Sequence, residues 1–587
     1  MIPFLTMLAA AFPQAPLPPV QPWAGGSIAL VARPGDPWIT PSETTGFAKT
    51  PSYAETRAWI DRLVAASPLL RIEPFGRSPE GRVLYAVVAS KPGLMGTGTN
   101  KPVMLVQAGI HAGEIDGKDA GLMLLRDIAL RGKDGLLDRA TLVFVPIFNV
   151  DGHERAGDYN RPNQRGPNGQ GWRTTAQNLN LNRDYLKADT PEMQAMIGLI
   201  RRWDPALYLD IHVTDGIDYQ YDITTDFNGY GGRYAQSPAV GRWLDRTYRP
   251  AVEAALTAAG HRPYQYISAI DPNPDKGIED TASTGRYSDG YGDLRHVPTV
   301  LVETHSLKPY RQRVLGSYVL MEASLRLIGA QAAGARTAIA ADRRARPAEQ
   351  VLEWKRSAAP IASRMFDGIS HEMAPSAAAG GDVIRWTGRP TRIRMPIWGE
   401  EAAVTTRLPR AWWVPASRPD VIARLRLHGV TMETITAARS VAVDRVRLVD
   451  PVLGAANEGR VPLKSASYVH AAGRESWPAG SVRVPADQPL GQLAAAMLEP
   501  ESPDGLLAWG LFPEILQRTE YMEPYVVAPM ADAMLARDPA LKAAFDAKVK
   551  ADPAFAADRQ ARLAWFYERS PYHDARYLLY PVAREVR

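Results

Sequence analysis

Val103-Met104-Leu105-Val106, followed within a few residues by His111-Ala112-Gly113-Glu114, is the stretch that decides how this chain reads. An apolar run of strand character gives way to a turn or helix start carrying a histidine and a glutamate three positions apart, so both can point at one ion. Leu209-Asp210-Ile211-His212 ends a second apolar run in a histidine, and Val300-Leu301-Val302-Glu303-Thr304-His305 ends a third in a carboxylate. Polar side chains at strand ends are where open α/β sheets hold their ligands. Two histidines and one carboxylate leave a coordination position open for water, which is how catalytic rather than structural zinc is held. A further carboxylate, Glu303, can take a proton from that water. Alone, H-x-x-E is commonplace, and His212 alone reads as a hydrogen-bonded histidine at a strand end. Their order and shared strand context join them into one set.

Outward from that stretch, helical and strand patterns alternate. Tyr53 to Ala65 has helical spacing, Val83 to Val88 reads as a strand, and Asp119 to Leu130 as a helix. Strands follow at Thr141 to Phe148, Leu207 to Ile211 and Thr299 to Val302. This alternation predicts an α/β fold, a mixed but mostly parallel sheet with helices on both faces, over residues 50–335. Between Asn149 and Asp184 lies a long polar segment rich in Asn, Gly, Pro and Arg, and an irregular stretch of that length inside a compact domain is usually functional.

Residues 347–587 change character. Short β-like runs separated by Pro and Gly predict a β-rich module over 382–484, and helical spacing predicts a helical tail over 506–566, with Leu541 to Val549 amphipathic. A chain of 587 residues exceeds what one core supports, so more than one domain is expected. The start, Met1 to Phe12, is apolar and ends in small residues, and a Pro-rich leader runs to Pro22. Residues 1–22 therefore read as a signal peptide and leader, which predicts export to the periplasm or medium. No later stretch reaches the length of a membrane span. Lys and Arg exceed Asp and Glu by only 5, with no basic run interleaved with aromatics, so nucleic acid is not an expected partner. The absence of cysteine removes thiolate ligands, thiol nucleophiles and disulfides together, leaving histidine and carboxylates as the strong ligands.

At residues 50–330 the chain resembles the zinc metallocarboxypeptidase family, the group that includes carboxypeptidase A. The resemblance rests on Phe75-Gly76-Arg77-Ser78-Pro79-Glu80-Gly81-Arg82, then His111 and Glu114, Asn149-Val150-Asp151-Gly152, Leu179-Asn180-Leu181-Asn182-Arg183-Asp184-Tyr185, His212 and Glu303, all in the family's order. It implies one zinc ion per chain held by His111, Glu114 and His212, with Glu303 as general base and Arg183 and Asn182 on the terminal carboxylate of a peptide or muropeptide. A planar guanidinium suits that last task through paired charge-assisted bonds. The family also places an arginine on the scissile carbonyl, and Arg165, Arg161 and Arg173 all fall in the polar segment, with Arg165 preferred on loop reach. The family's mobile tyrosine has no matching position, and Tyr287 is the candidate. Where the family has an aspartate orienting a zinc histidine, this chain has Asn180, a weaker acceptor for the imidazole N–H. Ser288 and Asp289 fall where the specificity pocket is partly built. An acidic floor would favour a basic C-terminal residue and a small polar one would not.

Two other functions fit parts of this pattern. A zinc amidase or deacylase, similar to succinylglutamate desuccinylase or aspartoacylase, shares H-x-x-E, a later histidine and a glutamate. A non-catalytic binding protein on the same fold is the third, and retention of all three ligands and Glu303 argues against it.

Overall fold

The computed structural model describes residues 17–92 and 101–586. Its centre is an eight-stranded sheet of β1 (Leu70–Arg77), β2 (Val83–Ala89), β3 (Val103–Ala108), β4 (Thr141–Val145), β5 (Leu207–Thr214), β6 (Ile223–Asp226), β7 (Pro263–Gln265) and β8 (Thr299–His305), in the order β1-β2-β4-β3-β5-β8-β6-β7. The middle run β4-β3-β5-β8 is parallel throughout, as is β6 with β7, while β1-β2, β2-β4 and β8-β6 are antiparallel. Every residue of β3, β4 and β5 is buried, which is why these strands read as unbroken apolar runs.

One face of the sheet is covered by the helices Tyr53–Ala66, Asp116–Leu130 and Tyr310–Ala330. Ser52 and Glu55 close a capping box on the first of these. The second lies unusually close to the sheet because of two glycines. A Cβ at Gly117 would meet Ile211 at 2.9 Å, and one at Gly121 would meet the Phe144 ring at 2.1 Å. That close packing sets the helix N-terminus directly behind the His111–Glu114 turn. Arg313, fully buried, ties the third helix to Asp116 at 2.8 Å and donates to the carbonyls of Arg165, Ser306 and Lys308 at 2.9 Å. A charge buried this deeply persists only when paired and fully hydrogen-bonded.

The other face is covered by the helix Pro191–Trp203 and by the C-terminal region, in one continuous core. Leu105, Val143 and Tyr208 of the sheet share that core with Met193, Ile197, Trp412, Val484, Leu493 and Leu506. The long strands of this region begin at Glu349, ahead of the 382 read from sequence. Glu349–Arg356 pairs with Glu400–Arg407, and Ala362–Ser376 with Gly381–Trp398 in a long hairpin. Most hairpin residues are partly or fully exposed, so the strands lack the clean alternation that would mark them in sequence. The same hairpin sheet recruits Ser268–Ala269 and Ile278–Glu279 from the first half of the chain, and a six-stranded sheet holds Ala411–Val414, Arg439–Leu453 and Leu463–Trp477. The helix Pro419–His428 interrupts the predicted β-rich span. The helical tail runs from Pro524 to Tyr567, after which Ala583–Glu585 returns as a strand of the six-stranded sheet. The leader reading falls mainly on residues 1–16, which lie outside the described residues. Among the described residues no helix is long and apolar enough to cross a membrane.

Candidate active site

The site forms at the C-terminal edge of the parallel strands. After β3 the chain turns through Gly109, whose φ of +70° is one glycine adopts without strain, and the Glu114 N–H donates to the His111 carbonyl at 2.9 Å. This tight turn presents both side chains on one side. His212 lies in β5, in register with Glu303 of β8, so the parallel pairing sets the third ligand type beside the candidate base. His111, Glu114 and His212 are the one group of three among the described residues whose ligand atoms come close enough to share an ion, all within 4.8 Å of one another.

The hydrogen bonds fix which ring nitrogens face inward. His111 Nδ1 lies 3.1 Å from the Glu114 carboxylate and His212 Nδ1 lies 3.0 Å from it. Each Nε2 is engaged from behind, His111 by Asn180 Oδ1 at 3.1 Å and His212 by Asp210 Oδ2 at 2.9 Å. With Nε2–H donating outward on neutral rings, both Nδ1 lone pairs and a carboxylate would face one point, a donor set that suits a cation. Two nitrogens and an oxygen are a borderline donor set that suits zinc. Burial pushes the His111 imidazole down to about 4. Burial acts the same way on His212, but Asp210 and Glu114 outweigh it and hold that imidazole well above the usual range. Against its own burial, His111 and Arg161 hold the Glu114 carboxyl well below the usual range.

Glu303 is buried, and its Oε2 has no hydrogen-bond partner. Burial first, then Glu114, Asp215 and Asp210, push its carboxyl up to about 8, with His212 acting in the opposite sense. A divalent cation in the cluster would draw it back towards the ionised form.

The polar segment places the arginines differently from the loop-reach estimate. Arg165 faces away: its Nε donates to the Leu307 carbonyl at 2.9 Å and its Nη2 to the Pro18 carbonyl. Arg161 Nη2 is 2.9 Å and Arg173 Nη1 3.3 Å from Glu114 Oε1. The segment doubles back, with Trp172 N–H on the Gly152 carbonyl at 2.7 Å and the Asn149 amide on the Arg173 carbonyl at 3.2 Å. Counting residues along an extended loop misses such a fold-back. Arg161 is buried and runs along Gly113, where a Cβ would meet its Cγ at 2.7 Å, while Arg173 is 38 % exposed and free to reach a ligand.

Arg183 is partly exposed, with its guanidinium 4.7 Å above the Tyr287 ring, and the neighbouring Asn182 Oδ1 is buried without a partner. Tyr287 thus stacks on the arginine just ahead of the helix Ser288–Leu294, instead of addressing Glu303. Two phenols feel the Glu303 carboxylate: Tyr266, held well above its usual range by burial and then by Glu303, and Tyr219, pushed up by burial with Glu303 as a lesser cause. The position of Tyr266 between β7 and Ser268, outside every motif, left no sequence signal. Asp210 did leave one, because residues two apart on a strand share a face. From the C-terminal region, Glu458 accepts the Asn180 N–H at 2.7 Å, so that half of the chain braces the loop holding His111.

Residues 56–288 match the zinc carboxypeptidase family model, which ends short of Glu303. Carboxypeptidase 2 of Trichophyton equinum is 24 % identical over 463 residues, covering 74 % of this chain and 79 % of that protein. Human carboxypeptidase D is 28 % identical over 184 residues, 29 % of this chain and 12 % of that protein. Among solved structures, carboxypeptidase A of Helicoverpa armigera aligns at 18 % identity with a TM-score of 0.37, covering 50 % of this chain and 75 % of that one. The residues matching the zinc carboxypeptidase family model include His111, Glu114 and His212, so the region of this chain that is similar to that family is the one that carries the His-Glu-His cluster.

Proposed function

We propose that the chain removes the C-terminal residue of peptides, with His111, Glu114 and His212 holding one zinc ion and Glu303 carrying the proton. The observation that supports this most is the convergence of two outward-tied imidazoles on Glu114 with the free oxygen of Glu303 on the neighbouring strand. A zinc ion bound there supplies a Lewis acid and lowers the pKa of water to about 7. Glu303 takes a proton from water and later delivers it to the leaving amine, one group acting as base and then as acid. Arg173, partly exposed beside Glu114, donates to the scissile carbonyl oxygen as negative charge develops there. Arg161, buried on the same Glu114 oxygen, holds that carboxylate in place. Arg183 and Asn182 bind the terminal carboxylate of the substrate.

The test is metal analysis together with mass spectrometry of a peptide mixture, including muropeptides and N-acyl amino acids, incubated with the zinc-loaded chain. The proposal expects about one zinc per chain and loss of single C-terminal residues from peptides. Zinc with hydrolysis of N-acyl amino acids alone would assign the amidase or deacylase function, and no zinc would assign a binding scaffold.

A further inference from the structure

The segment that carries Asn180, Asn182 and Arg183 is held from outside by the tip of a long hairpin in the C-terminal region. Between the strands Arg439–Leu453 and Leu463–Trp477 the chain reverses in a tight turn closed by Asn457 and Arg460. The Asn457 N–H donates to the Arg460 carbonyl at 2.8 Å, and the Arg460 N–H returns to the Asn457 carbonyl at 3.0 Å. Glu458 and Gly459 are the two central residues, with φ of +48° and +75°. A two-residue turn with positive φ at both centres favours asparagine, aspartate and glycine there. Gly459 fits that preference and Glu458 does not. A glutamate held in left-handed backbone points to a task for its side chain.

That side chain reaches the other half of the chain. Its carboxylate accepts the Asn180 N–H at 2.7 Å, and Asn180 is buried, so this N–H needs an acceptor from the protein. Asn180 is itself a branch point. Its Oδ1 lies 3.1 Å from His111 Nε2 and accepts the Asn182 N–H at 3.0 Å, while its carbonyl accepts the Arg183 N–H at 3.0 Å. Both backbone N–H groups of the proposed carboxylate clamp thus hang from one residue, and Glu458 fixes that residue from behind.

The turn grips the segment at both ends. Gly459 lies against Leu179, where a Cβ would meet Cδ2 at 3.0 Å. Arg460 forks onto Asp189 with bonds of 2.7 and 2.6 Å, and Arg424 adds another at 2.6 Å. Against its own burial, Arg460, Lys187 and Arg424 bring the Asp189 carboxyl down to about 2. Between these grips lie the unpartnered Asn182 Oδ1 and the Arg183 guanidinium on the Tyr287 ring.

We propose that Glu458 is a positioning residue for the substrate-carboxylate clamp, so that the C-terminal region completes the active site. The proposal rests on the peptidase function above for what Asn182 and Arg183 bind.

The test compares wild type, Glu458→Gly and Glu458→Gln as zinc-loaded full chains, on the best substrate from a panel of hippuryl-amino acids. Glycine suits the turn but removes the acceptor. Glu458→Gly is therefore expected to melt no lower than wild type and to keep about one zinc, while KM rises about tenfold and kcat stays within about twofold. Glu458→Gln retains an oxygen for the Asn180 N–H and should bring KM back to within about threefold of wild type. An unchanged KM in Glu458→Gly overturns the proposal, as does a rise in KM that Glu458→Gln shares in full. A Glu458→Gly chain that melts lower or fails to fold gives the turn a purely structural role and also overturns it. If the wild type trims no peptide, the peptidase function falls and hydrogen exchange over residues 176–189 decides. Faster exchange there in Glu458→Gly, restored in Glu458→Gln, supports positioning by Glu458, and exchange equal to wild type overturns it.

Discussion

The site has a strand-built half and a loop-built half, and the two meet at Glu114. On one side His212, Asp210 and Glu303 stand on adjacent parallel strands whose register fixes their spacing, and the imidazole leans on a carboxylate. On the other side His111 leans on the amide of Asn180, and Arg161 and Arg173 arrive from an irregular segment steadied by Asn149, Gly152 and Glu458. A sheet positions its residues through many shared backbone bonds, whereas a loop depends on a few individual contacts. The strand-built half is therefore suited to hold His212 and Glu303 rigidly, and the arginines of the loop-built half have more freedom to move.

Consequences of that contrast can be ranked by size. Arg173→Met, on the loop-built side, is expected to lower kcat by about 10²–10³-fold while zinc content stays the same, read from steady-state kinetics and metal analysis. Equal losses of zinc and rate would make Arg173 a support for Glu114 instead. Asp210→Asn, on the strand-built side, is expected to weaken zinc affinity by about 10–100-fold in competition with a chelator, because the partner orienting His212 loses its charge. Asn180→Asp should move affinity the other way, by up to about tenfold, since a carboxylate behind His111 makes that ligand more basic. A larger loss from Asn180→Ala than from Asp210→Asn would reverse the contrast.

The smallest effect is on stability and lies outside the cluster. Glu192, in the first turn of the helix that follows the loop-built half, is buried with no side-chain partner, and burial pushes its carboxyl up to about 7. Its pKa is higher folded than unfolded, so the folded state binds the extra proton and stability falls as pH rises from about 4.5 to 7. Glu192→Gln is expected to stabilise the chain by about 2 kcal/mol at pH 8 and by little at pH 4.5, measured by denaturant unfolding at the two values. A gain of the same size at both values would assign the effect to packing.

The same contrast explains what could be read from sequence. His212 and Glu303 were legible because buried parallel strands are continuous apolar runs and their ends announce themselves, and His111 and Glu114 followed from the turn after β3. Arg165 turns to the Leu307 carbonyl while Arg161 and Arg173 lie at Glu114, a placement that loop length alone does not reveal because the polar segment folds back through contacts such as Trp172 with Gly152, which leave no periodicity. Tyr266 was invisible for a related reason: it follows β7, an edge strand of three residues, too short to show a pattern. In the C-terminal half the strand that begins at Glu349 and the long hairpin after it are exposed along most of their length, so the true start of the β-rich region carried no burial signature.

The central claim is that a buried carboxylate on β8 moves the proton for a reaction at a metal held by other residues. Glu303→Gln tests it most directly, with zinc content and release of C-terminal residues measured side by side on wild type and variant. The account predicts about one zinc per chain in both proteins and a rate at least about 10³-fold lower in the variant. A variant that keeps its zinc and trims peptides at the wild-type rate would contradict it.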